Sequence, residues 1–284
     1  DFRGSVSGYW SMSQDNVVAI DRRTYEGSES LAWTHGAHSL KFGADVRFVA
    51  SDRVTANLTD PQFAFTGQFS GNGFADFLLG IPNTMQQGSL RTNQARSNAW
   101  SAYAQDDWKI TNRLTLSLGL RYDPFYPFDD AGNQLSVFRP GQQSTLYPQA
   151  PPGLLYGGDP GVPRGGVASD LNNLAPRFGF AWQPARNGKW SIRGGYGIFY
   201  ETPNFYQLTA FANTQPYSEQ ITINQPASFS NPYAGYPVPF PYTPPASASA
   251  RAAYQFVYPV QIGETVDANL VDAYVQQWNV NLQR

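Results

Sequence analysis

Apolar residues alternate with small or polar ones over stretch after stretch of this 284-residue chain, and a period of two belongs to a β-strand with two unlike faces. Leu40, Phe42, Ala44, Val46 and Phe48 interleave with Lys41, Gly43, Asp45 and Arg47. Leu114, Leu116, Leu118, Leu120 and Tyr122 interleave with Thr115, Ser117, Gly119 and Arg121. Phe178, Phe180 and Trp182 alternate with Arg177, Gly179 and Ala181, and Trp190, Ile192, Tyr196, Ile198 and Tyr200 with Ser191, Arg193, Gly195 and Gly197. Helical periodicity is almost absent. The connections carry a second regularity. His35-Gly36-Ala37-His38 joins strands near 22–34 and 39–50, Thr111-Asn112-Arg113 joins strands near 98–110 and 113–123, and Pro184 to Gly188 joins strands near 175–183 and 189–200. Long stretches at 51–97, 124–174 and 201–265 separate these hairpins. In an up-and-down antiparallel sheet, that order sends every short turn to one end and every long loop to the other.

Periodicity leaves open which way the apolar face looks. Inward, it makes a soluble β-sandwich or propeller; outward, a membrane barrel, whose periplasmic turns are short and whose outer loops are long. Three features favour lipid. The opposite face carries Gly, Ser, Thr and isolated charges rather than the Lys and Glu of an exposed sheet, and only 14% of the chain is charged against the usual ~25%. Aromatics, 15% of the residues, recur near strand ends: Trp33, Phe48, Trp100, Trp108, Tyr122, Trp182, Trp190 and Tyr200. The strands run to about ten to thirteen residues, enough for the roughly 9–11 that a tilted strand needs to cross. The fold class expected is therefore all-β, an antiparallel up-and-down transmembrane β-barrel. No apolar run approaches the ~18 residues of a spanning helix. A net charge of −2 excludes a strongly basic nucleic-acid binder, so no nucleic-acid partner is expected. The absence of cysteine excludes disulfides and thiolate metal sites. The long stretches are rich in turn formers, as in NPYAGYPVPFPYTPP at 231–245 and YPQAPPGLLYGGDPGVPRGG at 147–166. A helical turn or two ended by Gly80 and Pro82 is expected at FADFLLG, residues 74–80. Asp1 is no initiator methionine, so the chain is expected to be mature or cut from a longer one.

No constellation for catalysis converges, and no enzyme, cofactor or metal is expected. Asp106 and Asp107 are adjacent on a strand and face opposite ways, so they cannot act together as acid and base; a role near the turn, or pairing with a neighbouring basic residue, suits them better. His35 and His38 flank a turn and read as turn residues. Gly194-Gly195-Tyr196-Gly197 opens no helix and reads as bending or close approach on the lumen side rather than phosphate binding. Asp129-Asp130-Ala131-Gly132-Asn133 lacks the rest of a calcium loop and reads as a turn. Lys41, Asp45, Arg47, Arg121, Arg177 and Arg193 share the expected lumen side, either contacting a plug or solute or pairing among themselves. Tyr233, Tyr236, Phe240 and Tyr242 are candidate ligand-stacking rings that equally suit packing within their loop.

Five stretches together resemble the barrel of TonB-dependent outer-membrane receptors, most closely the Oar-like subgroup common in Acidobacteria. They are LAWTHGAHSLKFGADVRF at 31–48, FADFLLGIP at 74–82, YAQDDWKITNRLTLSLGLRY at 103–122, NNLAPRFGFAWQPARNGKWSIRGGYGIFY at 172–200 and YVQQWNVNLQR at 274–284. The resemblance implies a Gram-negative outer-membrane importer with a barrel of about 22 strands closed by an N-terminal plug. It also implies energy from a TonB complex that pulls on a short N-terminal box. Residues 1–284 are then expected to be an open part of one such barrel domain, the plug, TonB box and C-terminal strands lying outside it. Seven strands are clear, with further ones near 2–12 and 61–69. The implied partners are outer-membrane lipid, the protein's own plug, the TonB complex and a bulky extracellular solute: siderophore, cobalamin, glycan or peptide. The alternatives are a plug-less porin or surface-adhesive barrel, and a secreted soluble β-protein binding carbohydrate.

Overall fold

The computed structural model describes residues 3–12, 17–56, 58–185, 189–201, 213–236, 240–263 and 265–284. In chain order the strands are β1 (Arg3–Val6), β2 (Trp10–Met12), β3 (Val17–His35), β4 (His38–Ala56), β5 (Gln62–Phe65), β6 (Thr84–Gly88), β7 (Arg91–Thr111) and β8 (Leu114–Tyr122). They continue with β9 (Asp129–Asp130), β10 (Ser136–Phe138), β11 (Leu154–Tyr156), β12 (Leu174–Trp182), β13 (Ser191–Tyr200), β14 (Gln220–Asn224) and β15 (Tyr274–Gln283). Two short helices are α1 (Gly73–Leu79) and α2 (Ala248–Ala253).

Seven long strands build one antiparallel sheet in the order β3-β4-β7-β8-β12-β13-β15, with the short β9 added to the far end of β7. The turns fall as the sequence predicts. His35 pairs with His38 across a two-residue turn whose Gly36 has φ +60°, and Thr111 pairs with Leu114 across Asn112 and Arg113. Residues 186–188 of the third turn lie outside the described residues. The two described turns lie at one end, together with the strand ends at Trp182 and Ser191, and the long connections lead from the other.

Register carries the faces across the sheet. Leu118 on β8 pairs with Phe178 on β12, Phe178 with Tyr196 on β13, and Tyr196 with Trp278 on β15. Leu31, Phe42, Ala104 and Leu120 make a parallel row. No described residue covers these rows: Phe178 is 44% exposed and Trp278 78%. The buried hydrophobic clusters lie among the long connections and the N-terminal β1 instead. A soluble sandwich would pack its apolar face against a second sheet. Here that face is bare and looks outward. Aromatic rows bound it: Trp33, Trp108 and Trp182 near the turns, and Phe48, Trp100, Tyr122, Tyr200 and Tyr274 further along. From Trp108 to Trp100 is eight residues. At ~3.4 Å each that is about 27 Å, comparable with the ~25 Å apolar band of a membrane barrel.

Three expectations need correction. β3, β4 and β7 are 19, 19 and 21 residues long, well beyond ten to thirteen. Their outer parts, near 17–21, 51–56 and 91–97, rise past the upper aromatic row, where neither face meets lipid and apolar alternation is lost. Second, the strands near 2–12 and 61–69 do not join the long sheet. β1 and β5 pair in parallel within a separate sheet ordered β14-β6-β5-β1-β2. Four residues each, they are too short to span. Third, Gly195 and Gly197 stand on the polar face, but Gly194 is on the apolar one, where a Cβ would come within 2.5 Å of the Phe180 ring. An aromatic ring laid over a cross-strand glycine supplies the packing that glycine lacks.

The long connections form a folded body at the end opposite the turns. One core gathers Val6, Phe63, Phe65, Met85 and Ile221. α1 packs beside it, as the FADFLLG pattern predicts. Its first amides, those of Phe74 and Ala75, donate to Asn72 Oδ1, and Gly80 ends it at φ +67°. A second core gathers Tyr147, Ala150, Leu154, Tyr156 and Phe256.

Candidate functional site

The polar face of the sheet runs through Glu26, Arg47 and Ala99 in one row and Ser28, Asp45 and Ser101 in the next, and register sets Tyr103, Arg121 and Ala175 alongside. Lys41, Asp45, Arg47, Arg121, Arg177 and Arg193 all stand on it, as their sequence parity predicts. Two of them meet directly. Arg121 Nη1 donates to Asp45 Oδ2 at 3.1 Å, and its Nε lies 2.8 Å from Asp123 Oδ1. Ser101 Oγ donates to the same Asp45 oxygen at 3.1 Å and itself accepts from Arg121 Nη2. Arg47 faces Glu26 at 3.9 Å. The Arg177 guanidinium lies 4.7 Å over the Phe199 ring. Arg193 lies nearer the turns, apart from this group.

This lattice floors a cavity of about 570 Å³ between the sheet and the connection after β8. Glu26, Asp45, Arg47, Arg121 and Arg177 line it from below, and Asp123, Tyr126, Phe128 and Asp272 from the sides. Lys41, Tyr103, Gln105, Arg121 and Arg177 line a smaller depression of about 230 Å³ further down the same face. Asp123 was within reach of sequence reading, because it follows Arg121 by two residues just past the end of β8 and so continues its face. Asp272 had no such signal, since only folding brings it from before β15 to Asn173, whose Nδ2 donates to it at 2.8 Å.

The paired aspartates separate as expected. Asp106 lies on the apolar face and accepts from His38 Nδ1 at 2.7 Å, with the Trp108 ring stacked on the imidazole at 5.3 Å. Asp107 lies on the polar face and accepts from Ser117. Asp130 forms the expected turn, its carboxylate accepting from the Gln94 amide at 2.8 Å and the Gln134 amide at 2.6 Å. The described residues hold no group of three or more histidines or carboxylates arranged for a metal.

Of the four loop aromatics, Tyr233, Tyr236 and Phe240 pack against the first loop core, and Tyr233 and Phe240 stack at 6.0 Å. The Tyr242 hydroxyl donates to the Pro216 carbonyl at 2.7 Å. All four are half-buried.

Two buried carboxyls in the outer body are held in unusual states. Burial pushes Glu219 up to about 7, against the Tyr254 hydroxyl that donates to it. Burial, joined by the charge of Asp170, pushes Asp272 up to about 6. A raised carboxyl pKa means that the folded body binds the proton more tightly than the unfolded chain, so its contribution is complete below the ordinary range near 4 and is lost as pH rises through 6 to 7. Asp159 runs the other way. Burial pushes it up, but hydrogen bonds from the Ser144 hydroxyl and from the Tyr156, Leu146 and Thr145 amides outweigh that and hold it below the usual range. The outer body is therefore expected to be most protected near pH 5. Its hydrogen exchange around 213–224 and 254–261, corrected for intrinsic rates, is expected to speed up between pH 5 and 8, by up to about 3 kcal/mol from Glu219. Glu219→Gln is expected to flatten most of that rise; an unchanged slope would refute the assignment.

A sheet with one greasy outward face, one hydrated face, aromatic rows at both ends, short turns below and folded loops above is the wall of an outer-membrane β-barrel. The chain belongs to the outer membrane beta barrel domain family, whose profile matches residues 2–284, and its place is the outer membrane. Among solved structures it is similar to the outer membrane transporter YddB from Escherichia coli, with 16% identity and a TM-score of 0.37 over 72% of this chain. The match covers 20% of that transporter's length. No curated protein matches the sequence.

Proposed function

We propose that this chain is an arc of the barrel wall, with its outer loops, of a TonB-dependent receptor of the Oar-like kind. Residues 1–284 are then one part of a single barrel domain, and the edge strands β3 and β15 pair with further strands, since unpaired strand edges in lipid cost several kcal/mol per group. The receptor takes a bulky solute from outside on its loops and passes it inward as a TonB complex rearranges the plug. The observation that carries this reading is the folded state of the long loops, which form buried cores and cavities above a charged lumen face, as a receptor needs and a bare channel does not. The barrel performs no covalent chemistry; its charged lattice offers hydrogen bonds to a plug or a passing solute.

The test does not require the solute. The intact protein in a planar bilayer is expected to show no steady conductance and to bind the periplasmic C-terminal domain of TonB in detergent. A permanently open channel without TonB binding would overturn the receptor and leave a plug-less porin.

A further inference from the structure

A second cavity, of about 270 Å³, lies in the outer body where β6 and β7 approach β14. Its lining is polar: Ser89, Arg91, Ser218, Glu219, Gln220 and Gln261 all reach it. Glu219 is 1% exposed. Its Oε2 accepts from the Tyr254 hydroxyl at 2.9 Å, while its Oε1 is buried and has no partner among the described residues. Its backbone is fixed on both sides by Ser89, whose amide donates to the Glu219 carbonyl at 2.7 Å and whose hydroxyl accepts from the Glu219 amide at 2.9 Å. A buried carboxylate oxygen without a partner, on a residue that lines a polar cavity, is an acceptor awaiting a donor.

We infer that this cavity is a binding subsite for one neutral, hydroxyl-rich unit, a single sugar ring. The charges in the wall select against the alternatives: Arg91 disfavours a cation, and Glu219 disfavours an anion above pH 7, where its carboxyl is ionised. Carboxylate, amide, hydroxyl and guanidinium groups together offer both acceptors and donors, which is what vicinal hydroxyls need, since each gives one proton and accepts others. Among the described residues Pro259 is the apolar side chain in the wall, too little for an aromatic or acyl ligand. The volume falls just below the ~300–1,000 Å³ of drug-sized sites, so it takes one ring and leaves the rest of a longer glycan outside. This assignment rests on the proposed role of the loops as the solute-receiving face, and it names the solute class.

The test measures binding alone, without TonB or an energy source, so a failed receptor reading leaves it intact. The intact protein is purified in lauryldimethylamine oxide, which carries no sugar headgroup. Methyl α-glucopyranoside, methyl α-mannopyranoside and methyl β-galactopyranoside are offered by saturation-transfer NMR, with putrescine and glutarate as charged controls. At least one glycoside is expected to bind and both controls to fail. Glu219→Leu is expected to weaken that binding by about tenfold or more, because the ligand hydroxyl loses its buried acceptor. Gln220→Ala and Gln261→Ala lie at the cavity wall, leave the cores alone, and are expected to weaken it severalfold; they decide the matter if Glu219→Leu does not fold. No glycoside bound, glycoside binding unchanged in the folded variants, or binding of putrescine or glutarate would each overturn the subsite. Import of a charged solute through a TonB-driven receptor would overturn it while leaving the receptor standing.

Discussion

Phe178→Arg is expected to destabilise the membrane-inserted protein by about 2–4 kcal/mol, whereas Ser117→Arg, one strand away, is expected to change stability by less than about 1 kcal/mol. Phe178 stands midway along β12, between Leu118 and Tyr196, with no described residue layered over its face. An arginine there puts its guanidinium into hydrocarbon near the midplane, where snorkelling reaches neither interface cheaply. Ser117 pairs with Gly179, the next residue along β12, and so sits at nearly the same depth. It faces the other way, beside Asp107, and an arginine there gains a carboxylate and keeps its water. Denaturant unfolding of the intact protein in phosphatidylcholine vesicles, followed by tryptophan emission, measures both. Equal costs at the two positions would mean that the bare face does not meet lipid.

That contrast is the part of the structure most legible in the sequence. Parity alone places Lys41, Asp45, Arg47, Arg121, Arg177 and Arg193 on one face and Phe42, Leu118 and Phe178 on the other, because lipid and water impose opposite demands at every step of a spanning strand. The turns at Gly36 and Asn112 and the helix ended by Gly80 are legible for a local reason: each depends on a few adjacent residues. The outer body is not legible in this way. Beyond the upper aromatic row, Ser51, Asp52 and Arg53 on β4 and Thr92, Asn93 and Gln94 on β7 are polar on both faces, so the period that marks a strand disappears while the strand continues. Glu219 and Asp159 sit in runs without pattern. Their partners, Tyr254 for one and Ser144 for the other, are set by the packing of distant or turn-rich segments. Asp106 shows the limit of parity itself: it lies on the lipid face, and only the cross-strand register reveals the histidine that accommodates it.

Asp159→Ala is expected to open the connection between β10 and the end of the second loop core, at a local cost of about 4 kcal/mol or more. Asp159 is 3% exposed and is the hub of that segment. Its carboxylate accepts from the Ser144 hydroxyl at 2.7 Å, the Thr145 amide at 2.7 Å, the Leu146 amide at 3.0 Å and the Tyr156 amide at 2.9 Å. Hydroxyls can rotate to new acceptors, but the three amides are fixed by the backbone: the Tyr156 amide would be left buried and unpaired, at about 1–3 kcal/mol, and the more exposed Thr145 and Leu146 amides would each lose a bond to a charged group, worth about 1.5–3 kcal/mol. The same bonds clamp 144–146 to 156–159 and so close Tyr147 onto Tyr156, whose ring centroids are 4.5 Å apart. Asp159→Asn keeps an acceptor but loses its charge, and is expected to cost about half as much. Hydrogen exchange and proteinase K cleavage within 142–162 are the measures. Unchanged protection in Asp159→Ala would refute the hub, and a global loss of the long sheet would show that the loops are not an independent layer. The effect reaches further than its own segment. The Tyr156 hydroxyl donates to the Gln215 carbonyl at 2.6 Å, and Gln215 belongs to the turn that presents Glu219 to the polar cavity. Loosening Asp159 therefore removes a support of the polar cavity.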